Sequence, residues 1–440
     1  MNRCAMAVAL VALLFQRNFS EESLTAVNNL AAQDGVARPY ITTQTPITLL
    51  SANDGDLDFH WRKTRAGLRD REVKTQDSFT VIHLGPDHPP ITRTVYGTVP
   101  STILGTPTMA MSADGRYGII ANHGFRGITD FATLIYPQGM PLTNEDVRSG
   151  DLARQKFAPP LSNMLSLIDL ASPQLKVVDR VLLPDGPIHV LPHPDGKRFV
   201  VGAVESFYLY KILNGKLVQV SRSPQEHGLP CFWITPKGDR IIATQGRLDG
   251  EPASIHLYAL VNDEVRYLSE VKVSAGVDTS LIAGSYIVRV SLDGKQALVC
   301  QDSGIFVSEL CDIPIVDLTL EEPAITSVIK HVGPGVESFA FHPNGRMAVA
   351  TCLAQDKNSI AVLDIAAKPA RLLYHLNASG FGQGIEFTPE GDKLFVGSAA
   401  AARIEVYDVL GEYEVRKNQK FLKTGHGHCS LTIGTRYMTK

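Results

Sequence analysis

The chain has 440 residues, 44% hydrophobic and 20% charged, with 36 Gly, 26 Pro and a formal charge of -3. That composition excludes a disordered or low-complexity chain and fits a turn-rich globular protein long enough to bury a large core. Charges of both signs are interspersed without a basic block, which excludes a surface built to track a nucleic-acid backbone.

At the N-terminus, MNRCAMAVALVALLFQ joins a basic start to an apolar stretch of signal-peptide length, yet no small-x-small cleavage site precedes the polar NFSEES. Residues 1–20 are therefore either an export signal or a buried segment, and both a cytoplasmic and an exported, periplasmic location stay open. No other stretch has the roughly 18 consecutive apolar residues of a membrane span. Residues 1–77 carry no repeat and are assigned to an N-terminal extension. SFTVIHLGPDHPPITRTVYG, residues 78–97, then offers two strands.

From there one phrase recurs: MAMSADGRYGIIAN around Gly115, VLPHPDGKRFVVGA around Gly196, FWITPKGDRIIATQ around Gly238, VRVSLDGKQALVCQ around Gly294, FAFHPNGRMAVATC around Gly345 and IEFTPEGDKLFVGS around Gly391. A degenerate seventh copy, CSLTIGTRYMTK, has Thr435 in place of the glycine. Two short apolar runs joined by a Pro/Asp/Asn-plus-Gly turn are a β-hairpin. Most hairpins are followed by two more strand-like runs, such as NMLSLIDL with LKVVDRVLL, or SIAVLDI with ARLLYHL, giving four strands per repeat. Apart from the long interval between Gly115 and Gly196, the successive turn positions lie 42, 56, 51, 46 and 44 residues apart, the spacing of a four-stranded propeller blade. Residues 124–162, which lack the phrase, are read as an insertion between the second and third strands of the first blade. The expected fold is all-β: a seven-bladed β-propeller over residues 78–440, closed by N- and C-terminal strands sharing one blade, which removes exposed sheet edges.

Six cysteines (Cys4, Cys231, Cys300, Cys311, Cys352 and Cys429) show no C-x-x-C spacing and mostly sit in apolar runs, so they are expected to be reduced, buried thiols.

The innermost strand of every blade begins at one mouth of the central channel. Seven residues before each turn glycine stand Thr108, His189, Cys231, Ile287, Ser338 and Gly384, with His428 in the degenerate copy. Adjacent loop positions add Glu337, Gln383, Glu386, His426 and His227. The second strand returns to the same mouth and adds His123, Glu205, Gln245, Arg247, Gln301, Asp302 and Arg403. A histidine beside a carboxylate can activate water, and an arginine can hold a carboxylate or a developing oxyanion. His189, His428, Glu205, His123 and Glu337 are the candidate catalytic residues; Arg247, Arg403, Gln301, Gln245 and His227 are the candidate substrate contacts. The competing reading is that such strand-end groups cap backbone atoms. His193 and His342, within the turn phrase, belong to the opposite end and are expected to be structural. His426-Gly-His428, with His189 or His123 across the channel, offers imidazoles to a divalent metal; metal-free acid–base chemistry is the preferred expectation, and no cofactor is predicted. Cys231 is expected to be an inert thiol.

The PDG-K/R-apolar phrases and strands ending in Asp, such as LSLIDL and IAVLDI, resemble the seven-bladed propellers of the lactonase and YVTN-repeat class, which includes 6-phosphogluconolactonase and carboxymuconate lactonizing enzymes. The resemblance spans about residues 78–440. It implies a lactonase-like hydrolase or lactonizing isomerase acting on a small cyclic ester or carboxylate in the channel. The alternative is a non-catalytic propeller that binds a ligand or a protein. No family catalytic motif matches residue by residue.

Overall fold

The computed structural model describes residues 40–55, 76–99, 107–122, 163–225, 231–244, 254–273, 284–302, 311–333, 335–352, 359–380 and 382–434. They build seven four-stranded antiparallel sheets, with no helix among the described residues. In chain order, β1 (Ile47–Asn53), β2 (Ser78–Leu84) and β3 (Ile91–Tyr96) precede blade one, which holds β4 (Met109–Met111), β5 (Tyr117–Asn122), β6 (Met164–Asp169) and β7 (Val177–Leu182). Blade two is β8 (Pro187–Pro192), β9 (Arg198–Ala203), β10 (Ser206–Leu213) and β11 (Lys216–Pro224). Blade three is β12 (Phe232–Ile234), β13 (Arg240–Thr244), β14 (Ser254–Val261) and β15 (Glu264–Lys272). Blade four is β16 (Gly284–Val290), β17 (Gln296–Asp302), β18 (Cys311–Asp317) and β19 (Ala324–Gly333). Blade five is β20 (Val336–Phe341), β21 (Met347–Cys352), β22 (Ser359–Asp364) and β23 (Arg371–Asn377). Blade six is β24 (Gly382–Phe387), β25 (Lys393–Ser398), β26 (Arg403–Val409) and β27 (Val415–Lys423), and the chain returns as β28 (His428–Gly434).

The recurring phrase is the innermost hairpin of each blade. Its glycine sits at a positive φ, between 68° at Gly115 and 77° at Gly391, and donates its N–H to the carbonyl three residues earlier. The acid beside it does the rest. In the Asp/Asn-Gly copies the side-chain oxygen accepts backbone N–H bonds, as Asp195 does from Lys197 and Arg198 and Asn344 from Arg346. In TPKGD and TPEGD the acid follows the glycine, and Thr235 and Thr388 donate to Asp239 and Asp392 at 2.8 and 2.7 Å.

Two turns also lock to their neighbours. The Nε2–H of His193 donates to Gly238 O at 3.0 Å and that of His342 to Gly391 O at 2.9 Å, while their Nδ1 atoms accept Asp195 and Asn344 N–H. A Cβ at Gly238 or Gly391 would lie 2.5 or 2.3 Å from these rings, so glycine is required there twice over. The structural role expected for these two histidines is what the turns show.

The inner strands β4, β8, β12, β16, β20, β24 and β28 each touch the next, and β28 meets β4 to close the ring. Apolar side chains pack between blades rather than around one centre: Leu50, Phe79 and Val81 meet Met109 and Ile120, and Leu209 and Phe207 meet Phe232 and Tyr258. Strands β21 and β22 are therefore apolar on both faces, whereas the outer edge strand β15 is mostly exposed. Each large side chain buried this way contributes about 1.5–3 kcal/mol.

The closing blade has the order β28-β1-β2-β3, one C-terminal strand and three from the N-terminal part. The hairpin expected around Thr435 would have placed a second C-terminal strand beside β28. That place is held by β1, with Leu431 opposite Ser51 and Thr432 opposite Leu50. The ring thus includes Ile47–Asn53, inside the stretch assigned from sequence to an extension. ITLLSAN lacks the turn phrase, so the repeat search passed over a strand that is buried along nearly its whole length. The second and third strands of blade one, β5 and β6, flank the expected insertion; residues 124–162 and the signal-like residues 1–20 lie outside the described residues.

Candidate functional site

The ring of positions seven before the turn glycine is built, but its histidines are sealed. His428 opens β28 and is fully buried. Its Nε2–H donates to Gln383 O of blade six at 2.8 Å, and its Nδ1 lies 2.8 Å from Ser51 Oγ, which also meets Asn53 Oδ1 at 2.8 Å. The ring rests on Gly397, where an added Cβ would approach Nε2 to 1.7 Å and Gln383 O to 2.3 Å. His189 in β8 is also fully buried, next to the Phe232 ring at 6.3 Å, and neither of its nitrogens has a hydrogen-bond partner among the described residues. Burial pushes His189 down to about 3 and His428 to about 4, the Gln383 carbonyl offsetting part of the latter shift. Both imidazoles are neutral at pH 7 and screened from the channel. The local reason is a register shift at the head of the inner strands, seen at Pro187/His189, Ser285/Val288, Val336/Ser338 and Gly382/Ile385, which re-aims the residues around it.

The other candidates are spread out. Glu205 is exposed on the short β9–β10 turn, where its N–H donates to Asp185 Oδ2 at 3.0 Å. Glu337 is buried in β20. Arg403 opens a third strand, away from the channel wall: Nη2 donates to Ser379 Oγ at 2.7 Å and Glu405 Oε1 at 3.0 Å, and the guanidinium covers Phe421 at 4.8 Å. Gln301 lies in β17, its backbone opposite Ser285 and Asp312. His123, His227, Gln245 and Arg247 lie outside the described residues. His426 is half-buried, and Gly427 between it and His428 takes φ 70°, which breaks the extended alternation that would have aligned the two rings. Among the described residues no group of three or more His, Cys, Asp or Glu side chains is placed to hold a metal ion.

Two residues further along the inner strands, the channel holds a set of which the sequence reading named Glu386 among the mouth residues but neither Trp233 nor Arg289. Trp233 of β12, Arg289 of β16 and Glu386 of β24 occupy the same repeat position, five before the turn glycine. Arg289 reaches from blade four past blade five to blade six. Its Nη1 donates to Phe339 O at 2.6 Å and Ile385 O at 3.1 Å, its Nη2 to Glu386 Oε2 at 2.7 Å, and its guanidinium sits 4.5 Å above the Trp233 ring. Four blades are thereby tied by one cation. The Nε–H of Arg289 has no hydrogen-bond partner among the described residues, and the side chains of Arg289 and Glu386 keep 15% and 16% of their surface exposed. They line a small cleft, open to solvent and of about 10 Å³, with Pro107, Trp233, Ile287 and Leu431. The available signal was a lone charged residue at one repeat position in two copies, VRVSLDG and IEFTPEG, where other copies carry Ala110, Leu191 and Ala340.

No protein-family model matches the sequence, and no curated protein matches it. Solved structures do. A Bacteroides fragilis protein provisionally described as a 6-phosphogluconolactonase superposes with a TM-score of 0.60 at 13% identity, over 89% of this chain and 99% of that one. The periplasmic gluconolactonase of Pseudomonas aeruginosa gives 0.59 at 12% identity, over 88% and 99%. Kuenenia stuttgartiensis hydrazine synthase gives 0.53 at 16%, over 76% and 92%. Proteins of such different description share the architecture, so the likeness speaks for fold and not for reaction. The chain is a seven-bladed β-propeller whose fold is shared with gluconolactonase-type propellers.

Proposed function

We propose that the protein is a lactonase-like enzyme that takes a small hydroxy-carboxylic acid or its cyclic ester at the Trp233–Arg289–Glu386 level of the channel. The carrying observation is the Arg289–Glu386 pair, 2.7 Å apart and still partly exposed beside an aromatic face. The Trp233 ring offers a flat surface to the C–H face of a sugar-like ring. Arg289, with its Nε–H unspent, polarises the ester carbonyl and holds the carboxylate product. Glu386, paired with the guanidinium, accepts a proton from water as the water oxygen bonds to the carbonyl carbon; the ring C–O bond then breaks and its oxygen is protonated. The neighbours described as lactonases have the same architecture, which supports the reading without assigning a substrate.

The test is turnover of an aldonolactone panel. Glu386→Gln is expected to lower kcat/KM by about 10²–10⁴-fold, the usual contribution of a general base. Unchanged turnover in that variant would overturn the assignment. A second reading, a ligand-binding propeller without catalysis, is favoured by the two main-chain carbonyls that occupy Nη1 of Arg289 and make it a bridge between blades. Saturable quenching of tryptophan fluorescence by aldonates, with no lactone turned over by the wild-type protein, would select it.

A further inference from the structure

Blades four and five bury three thiols together. Cys300 in β17 and Cys311 at the start of β18 are fully buried, with their Sγ atoms 3.3 Å apart. The strand register explains the proximity: Gln301 faces Asp312, so Cys300 and Cys311 are diagonal neighbours on one face of the sheet. Cys352 of blade five approaches from the facing sheet. Its Sγ would lie 3.1 Å from a Cβ added to Gly333, the residue that pairs with Cys311, and it donates to Val332 O at 3.7 Å. Burial, together with the neighbouring Cys311, pushes the Cys352 thiol up to about 12, so it stays protonated.

We infer that Cys300 and Cys311 are an oxidisable dithiol that closes to a disulfide across the second and third strands of blade four. A disulfide needs sulfurs about 2.05 Å apart, a short approach from the present contact. The register shift at Cys311/Ile313 gives β18 local slack at the residue that must move. The oxidant is a peroxide. One thiol sulfur attacks it, the O–O bond breaks, and a sulfenic acid and water form. The second sulfur then displaces the hydroxyl as water, so two thiols and one hydrogen peroxide give one disulfide and two waters. Cys300 lies on β17 opposite the irregular stretch between Ser285 and Val288, whose Ile287 lines the channel, so the bond would form directly behind the channel wall.

The experiment treats the folded full-length protein with hydrogen peroxide, then denatures it in an alkylating reagent and digests it with trypsin. Cys300 and Cys311 share the peptide Gln296–Lys330, whereas Cys352 falls in Met347–Lys357. The expected result is a Gln296–Lys330 peptide two hydrogens lighter and without alkyl groups, while the peptide bearing Cys231 remains alkylated. Cys352→Ala should leave that product unchanged, and Cys300→Ser should abolish it. A Gln296–Lys330 peptide carrying two alkyl groups after treatment, or one cross-linked to Met347–Lys357, would overturn the inference. The mapping on wild-type protein suffices even where a variant does not fold.

Discussion

Two levels of the same channel wall, two residues apart along the inner strands, have opposite character. At the outer level His189 and His428 are fully buried, and His428 is held by Gln383 and Ser51. At the inner level Arg289 and Glu386 keep part of their surface open beside Trp233. The ionisable side chains that look most chemical in the sequence serve the joints between blades, and the charged pair set into apolar strands faces the cleft. Position along a strand, not residue type, decides which group reaches the cleft.

The difference can be broken first at Gly397, the floor beneath His428. Gly397→Ala drives a Cβ into Nε2 and into Gln383 O, neither of which can retreat without moving a blade. The expected loss is about 3 kcal/mol or more in denaturant unfolding. His428→Leu comes next, at about 2–3 kcal/mol, because the Gln383 carbonyl and Ser51 hydroxyl lose their partner inside a dry joint.

The same difference shows in the pH dependence of stability. Both imidazoles have folded values, about 3 and about 4, below the ordinary 6.5, so the unfolded chain binds more protons across that interval. Their contribution is fully present above about pH 6.5 and is lost as pH falls toward 4 and below. His428→Gln should flatten part of this slope when unfolding free energy is measured between pH 7 and 4; an identical slope in the variant would remove His428 from the account. At the inner level Glu386→Gln should cost about 1–3 kcal/mol, since the amide oxygen can still accept from Arg289 while the largely buried guanidinium loses its counter-charge.

The fold was largely legible because the turn phrase reports a local requirement: glycine at positive φ next to an Asp or Asn whose side chain holds the turn, repeated in six copies. Closure by both chain ends was legible for the same reason. The identity of the second strand in the closing blade was not, since ITLLSAN pairs with residues nearly four hundred positions away and carries no turn of its own. The site was less legible. Counting back from each glycine identified the correct face of the inner strand but stopped at the histidines, and nothing local in HVLPHPDG tells that neighbouring blades close over His189. Trp233, Arg289 and Glu386 gain their meaning only when blades three, four and six surround one axis, a juxtaposition set by ring closure and not by neighbours in sequence.

The most direct test of the two-level account is an NMR pH titration of the imidazole nitrogens of His189 and His428 in the folded protein. The expected result is that His189 stays neutral down to about pH 3 and His428 takes up its proton only near pH 4. A midpoint near 6.5 for either ring would show that water reaches it, and the sealed level would not exist.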